Sequence, residues 1–176
     1  MLTIEVPEKE FWNPEIEMFI TSKPTKITLE HSLISISKWE RKWHKPFLHT
    51  ENKTSEELID YIKCMTITPN VDDLVYMCLS EENILSIKKY MDDPMTATWF
   101  SEKNKGKTRE VITSEVIYYW MIKQQIPVKF EKWHLNSLLT LIRVCGEMNK
   151  PKEKMSQREL INRHRAINAA RRRRKK

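Results

Sequence analysis

The chain holds two glycines in 176 residues, Gly106 and Gly146. Glycine supplies the positive-φ positions of tight turns and the close backbone approach that phosphate cradles need. So small a supply argues against a many-stranded sandwich and against a Gly-rich nucleotide loop. No apolar run reaches the roughly 18 residues needed to span a bilayer, so no membrane role is expected. The first residues lack a basic segment followed by an apolar one, so no secretory signal is expected. Cysteine is scarce as well: Cys64, Cys78 and Cys145, an odd number, widely spaced and in apolar surroundings. Such cysteines read as buried thiols in a reducing compartment and not as a disulfide framework.

The patterns that carry catalysis are missing too. Zinc fingers and ribbons pair their ligands at short spacing, because one loop must supply two corners of a tetrahedron. Cys64 and Cys78 have thirteen residues between them and no third ligand nearby, and Trp133-His134 stands far from Cys145. No metal or cofactor is expected. Nothing brings Ser, His and Asp together in a triad order, and there is no Gly-flanked nucleophile elbow. The acid pairs Glu56-Glu57, Asp72-Asp73, Glu81-Glu82 and Asp92-Asp93 fall mostly at helix starts. There a carboxylate suits the positive end of the helix dipole, which explains them without acid–base chemistry. An enzyme is therefore not expected.

What is present is helical periodicity. The length suits one domain, long enough to remove roughly 70% of its unfolded surface from water. Residues 110–148 form its expected centre. Val116 to Ile122 is an unbroken apolar run, which predicts a helix buried on every side. Thr113 or Ser114 caps it, and Pro127 ends it. A second helix is expected from about Lys129. Leu135, Leu138, Leu139, Ile142 and Cys145 give it one apolar stripe, and Gly146 is placed to end or weaken it. The pair is expected to pack as an antiparallel hairpin.

The N-terminal 30 residues differ. Leu2, Ile4 and Val6 alternate with polar residues, as do Ile16, Met18 and Ile20, with a turn at Asn13-Pro14. They predict a small β-hairpin or meander. A hairpin alone is marginal in water, so it must dock on the helices or pair with another chain, and docking is the expectation. From Ser32 the period becomes helical: Leu33, Ile36, Trp39 and Trp43 before Pro46; Leu58, Tyr61, Ile62 and Met65 behind a Thr54/Glu57 capping box; a short helix near 72–79; and one capped by Ser80. Residues 92–109 read as irregular, with Trp99 and Phe100 anchoring a polar surface loop. Trp39, Trp99, Trp120 and Trp133 read as core. Trp12 and Trp43 sit in polar neighbourhoods, where packing and a partner contact are both open. The fold class is thus mainly α, in three parts: a β element over 1–30 docked on the body, a helical body over 31–149 and a basic C-terminal helix or tail over 150–176.

The net charge of +7 belongs to that tail. Residues 150–176 hold twelve bases against two acids, net +10, while the other 149 residues hold nineteen bases and twenty-two acids, net −3. Ser156 and Glu159 form a second capping box before Leu160, Ile161 and Ile167. The candidate partner-binding residues are Arg158, Arg163, Arg165, Arg171, Arg172, Arg173, Arg174, Lys175 and Lys176. Such a set suits bidentate pairing with an acidic protein, a nucleic-acid backbone, or simple solvation. No aromatics interleave it, which weakens a single-strand stacking role.

Several ordered blocks resemble a known family. LEHSLISISKWERKWHKPFL (29–48), YIKCMT (61–66), DPMTATWFS (93–101), EVITSEVIYYWMI (110–122) and EKWHLNSLLTLIRVC (131–145) look like tail assembly chaperones of long-tailed bacteriophages. The resemblance covers most of residues 1–150. It implies a non-enzymatic protein that binds the tape measure protein, keeps its apolar surface from aggregating, recruits tail tube subunits in the cytoplasm of the infected host, and is absent from the finished virion. Association with further copies of itself stays open. Many of these proteins are made in two lengths by ribosomal frameshifting, and Lys175-Lys176 is compatible with a slippery A-rich codon run. The corner Trp43, His44, Lys45, Pro46 and Phe47 is expected to be exposed and to join the basic tail in partner binding. The alternatives are a structural virion protein of the tail or head–tail junction, and a nucleic-acid-binding accessory protein.

Overall fold

The computed structural model describes residues 1–13, 17–100, 111–149 and 161–167. The polar run 101–110, the Ser156/Glu159 pair and the RRRRKK end lie outside them. The chain divides into two compact units, Met1–Cys145 and Gly146–Lys176. The first is mainly helical with an N-terminal β element, the expected fold class.

Four strands open the chain: β1 (Leu2–Val6), β2 (Lys9–Asn13), β3 (Met18–Ser22) and β4 (Thr25–Leu29). β1 pairs with β4 and β2 with β3, both antiparallel and both in the same register. The strands therefore form one long ribbon with an interruption. Carrying the register through the gap sets Pro7 opposite Pro24. Pairing lapses over residues 7–8 and 23–24, the kind of break in a ladder where proline is tolerated. The half nearest the body buries Ile4, Val6, Ile27 and Leu29 in the core, as expected for docking.

The helices are α1 (Leu33–Trp43), α2 (Ser55–Met65), α3 (Asp73–Met77), α4 (Glu81–Asp92), α5 (Ser114–Lys123) and α6 (Leu135–Met148). Both expected caps of the middle helices are present. Thr54 and Glu57 form a reciprocal capping box on α2, and Ser80 forms one with Asn83 on α4. Each satisfies backbone amides that the first helical turn leaves without partners. α1 ends where His44 takes the left-handed conformation, φ 52°, and returns its N–H to Glu40 O.

α1 is the hub. It packs against α2, α5 and the short 3-10 helix Val128–Lys132. Leu33, Ile36 and Trp39 are fully sealed on it. The Trp39 indole stays satisfied because Nε1 donates to Glu57 O at 2.9 Å. Glu30, buried at the end of β4, accepts from Tyr90 Oη at 2.6 Å and so ties α4 to the ribbon.

Several expectations about residues 110–148, and one about Trp99, are corrected. α5 is not buried all round: Ile117 and Met121 are sealed, but Tyr119 is 59% and Ile122 69% exposed. Its main packing is on α1 and the 3-10 turn rather than against α6. The second helix starts at Leu135, not near Lys129, because a 3-10 turn follows Pro127, and it runs through Gly146 to Met148. Trp99 is 88% exposed and Trp133 is exposed, so neither is core. A local apolar run reports only that a segment is apolar. How many neighbours surround it is set by distant parts of the chain.

Glu40 joins these parts. It is buried, its Oε1 accepts from Phe47 N at 2.9 Å and its Oε2 from Ser114 N at 2.8 Å. The second bond caps α5 from another helix, and Thr113, at the N-cap, makes no side-chain cap bond. Replacing Glu40 by Ala strands two buried N–H groups, each costing about 1–3 kcal/mol. Glu40→Ala is expected to lose about 3 kcal/mol or more in urea unfolding, and Glu40→Gln clearly less, since its amide oxygen still accepts one bond. A Glu40→Ala loss below about 0.5 kcal/mol would contradict the bridging role.

Candidate protein-interaction site

The corner after α1 is built largely for internal use. Trp43 is half-buried, stacks on Trp39 with centroids 6.2 Å apart, and donates from Nε1 to Asp60 Oδ2 at 2.9 Å. Lys42 pairs with the same carboxylate. Lys45 Nζ reaches Glu57 Oε1 at 2.5 Å, a bond that holds the Glu57 carboxyl below the usual range together with the Thr54 N–H. Phe47 is corrected from exposed to core. It is 4% exposed, with its ring 4.0 Å from Tyr61 and 5.1 Å from Trp39. Only His44 and Lys45 of this corner stand at the surface. They edge a cleft of about 390 Å³ between the end of α1 and the start of α5, lined also by Arg41, Pro46, Val111 and Glu115.

Of the basic tail, Arg163 and Arg165 lie on an exposed helix over residues 161–167, in the second compact unit. Arg158, Arg171, Arg172, Arg173, Arg174, Lys175 and Lys176 fall outside the described residues.

Behind the corner lies a buried polar cluster. His31 Nδ1 and Tyr61 Oη share a 2.6 Å hydrogen bond, and the His31 and His134 rings meet edge to face at 5.2 Å. His134 N-caps α6: its Nδ1 accepts from Asn136 N at 3.3 Å, which leaves Nε2 to donate to Tyr90 O at 3.0 Å. His31 also edges a cleft of about 310 Å³ with Lys53, Asp92 and Asn136. Lys53 is held there by two backbone carbonyls, Phe47 O and Thr50 O, over the Phe47 ring. These polar groups satisfy one another, so the cluster reads as a buried fastening of β4, α2, α4 and α6. Among the described residues no group of His, Cys, Asp and Glu is arranged to hold a metal ion.

The surface that sequence reasoning missed is apolar. Tyr119 and Ile122 lie one turn apart on the outward side of α5, which places them together on one face. Val128 follows in the packed 3-10 turn, and Trp133 stacks on Phe130 at 4.1 Å while remaining exposed. Tyr118 Oη donates to Glu131 Oε2 at 2.7 Å and fastens α5 to that turn. At the far end of the ribbon, Trp12, Met18 and Phe19 are also exposed. The available signal was the length of the apolar run in α5, which exceeds what one buried face needs.

No protein-family model, curated protein or solved structure matches this chain. No helix among the described residues is long and apolar enough to cross a membrane.

Burial lowers the His31 pKa from 6.5 to about 3, with the neighbouring His134 adding to the shift. The unfolded chain therefore takes up this proton first as pH falls. The stability involved is intact above pH 6.5 and is lost between there and about pH 3. The slope from one such group reaches about 1.4 kcal/mol per pH unit. Unfolding free energies measured in urea from pH 7 to 4 are expected to fall less steeply for His31→Gln than for wild type; parallel slopes would rule out a neutral buried His31.

Proposed function

We propose that this chain is a bacteriophage tail assembly chaperone. It binds the tape measure protein, keeps that protein's apolar surface out of water and recruits tail tube subunits. It works in the cytoplasm of the infected host and is left out of the finished virion. The observation that carries the reading is the outward face of α5, where Tyr119 and Ile122 are exposed over a sealed Ile117 and Met121. A surface helix that served only its own core would place polar residues there. A helical rod with an apolar stripe is an aggregation hazard until its tube encloses it, and an apolar helix face offers it helix-to-helix burial. The described residues of the blocks 110–122 and 131–145 that resemble the family include most of α5, the end of the 3-10 turn and most of α6.

A structural virion protein of the tail is the second reading. It is favoured by the outer half of the N-terminal ribbon, whose strand edges pair with no third segment among the described residues and could receive a neighbour.

Co-expression with the tape measure and tail tube proteins of the same phage separates the two. The tagged chain is expected to retain tape measure protein, and Tyr119→Glu/Ile122→Glu to lose that retention with an unchanged melting temperature. Mass spectrometry of purified virions is expected to lack the chain. Its presence there at fixed copy number, with no tape measure retained, would move it to the structural reading.

A further inference from the structure

The bases of the helical body are not used evenly. Lys42, Lys45 and Lys63 are each paired with a carboxylate, that of Asp60, Glu57 and Asp73. Around the 3-10 turn the bases have no such partners. Lys38 and Arg41 on α1, Lys123 at the end of α5, and Lys129 and Lys132 in the turn are all exposed. Among the described residues none of these five joins an ion pair. They share one region because the turn packs on both α1 and α5. Lys38 and Lys132 line one cleft of about 390 Å³ with Ile34 and Ile67, and Arg41 lines the cleft at the start of α5 with Glu115.

The acids of these three elements do not cancel the excess. Glu40 is sealed and held by two backbone amides. Glu115 is held by its own amide and by the Thr113 and Ser114 hydroxyls, and Glu131 accepts from Tyr118 Oη at 2.7 Å. Even with Glu40 counted, five unpaired bases meet three carboxylates, on a chain whose first 149 residues are net −3. Apolar side chains stand among the bases. Lys123 Nζ lies 6.0 Å from the centre of the Tyr119 ring, and Lys129 Nζ lies 5.7 Å from that of Phe130, on which Trp133 stacks. Ile122 and Val128, the sequence neighbours of Lys123 and Lys129, are exposed aliphatics.

We propose that this face takes an acidic amphipathic helix, with an apolar stripe over Tyr119, Ile122 and Val128 and flanking Asp or Glu residues that answer the five bases. Charge selects the occupant by exclusion as much as by attraction. Exposed pairs add little affinity one by one, but a field of one sign speeds the encounter with its opposite and turns away partners of like sign. A helix flanked by Lys or Arg is turned away. A second copy of this face brings the same positive excess and is turned away too. A nucleic acid would satisfy the bases and stack on Tyr119 and Trp133, but it would leave Ile122 and Val128 in water. The aliphatic pair therefore selects a protein helix. The biological partner rests on the chaperone reading: the tape measure segment held here is one whose apolar stripe is bordered by acids.

Fluorescence anisotropy of the full chain with two labelled helical peptides tests this. Both peptides carry the same leucine stripe; one has glutamates flanking it, the other lysines. The glutamate peptide is expected to bind at least roughly tenfold more tightly, and its affinity to fall as salt is raised. Lys123→Glu/Lys129→Glu, and independently Lys38→Glu/Lys132→Glu, are each expected to weaken it at least roughly tenfold with unchanged melting temperature. Lys88→Glu/Lys89→Glu on α4 makes the same change in net charge away from the turn and is expected to leave binding unchanged. Equal binding of the two peptides overturns the proposal. So does binding of the glutamate peptide that both patch variants leave intact, as contact with the basic residues after 149 would be. A labelled oligothymidylate that binds more tightly than the glutamate peptide and is lost in the same variants overturns it in favour of nucleic acid. A dimer of the chain alone in sedimentation velocity, broken by Ile122→Glu, overturns it in favour of a second copy. The peptides contain no phage sequence, so a failure here leaves tape measure retention to its own experiment.

Discussion

The two hydrogen bonds accepted by Glu40 hold together what the chain keeps apart in sequence. One side chain on α1 fixes the turn at Phe47 and the first amide of α5. A buried carboxylate is tolerated where its oxygens are satisfied, and here backbone amides satisfy both. The placement also has a dipole logic, since a carboxylate at a helix N-terminus opposes the partial positive charge there. The orientation of α5 follows: once its first turn is held on α1, Ile117 and Met121 face inward, and Tyr119 and Ile122 face out.

That orientation links packing to the proposed work of the molecule. The body spends its aromatic residues unevenly. Trp39, Phe47 and Tyr61 close the space between α1 and α2, where ring contacts and a sealed indole bond make a dense centre. Trp12, Phe19, Trp99, Tyr119 and Trp133 remain in solvent. Scattered exposed apolar residues are ordinary, but exposed aromatics on a helix face and on the outer half of a ribbon are the side chains that anchor protein contacts. The two surfaces also suit different partners. The helix face offers lateral burial to another helix, and the ribbon offers main-chain hydrogen bonds to another strand.

Much of the architecture was legible in the residues because it rests on local rules. The Thr54/Glu57 capping box, the Ser80 cap, the end of α1 before Pro46 and the alternation of Leu2, Ile4 and Val6 each depend on a few neighbours in sequence. The apolar stripe of α6 was legible for the same reason. The candidate corner was legible only as composition. Trp43, Lys45 and Phe47 next to proline look like an exposed anchor until α2 is in place. Then Asp60 takes the indole, Glu57 takes the ammonium, and Tyr61 covers the ring.

The sequence by itself determined the helical class, the caps of α2 and α4, the concentration of basic residues after residue 149 and the existence of a β element, because periodicity and capping act within a turn or two of the chain. Only the tertiary structure decided which side of α5 is covered, that α1 and not the 110–148 segment is the hub, and where the ribbon stops being supported. Those outcomes depend on contacts between residues far apart in sequence, such as Glu40 with Ser114 and Thr28 with Ile67. No local pattern records which of two apolar faces such a contact will turn toward the core.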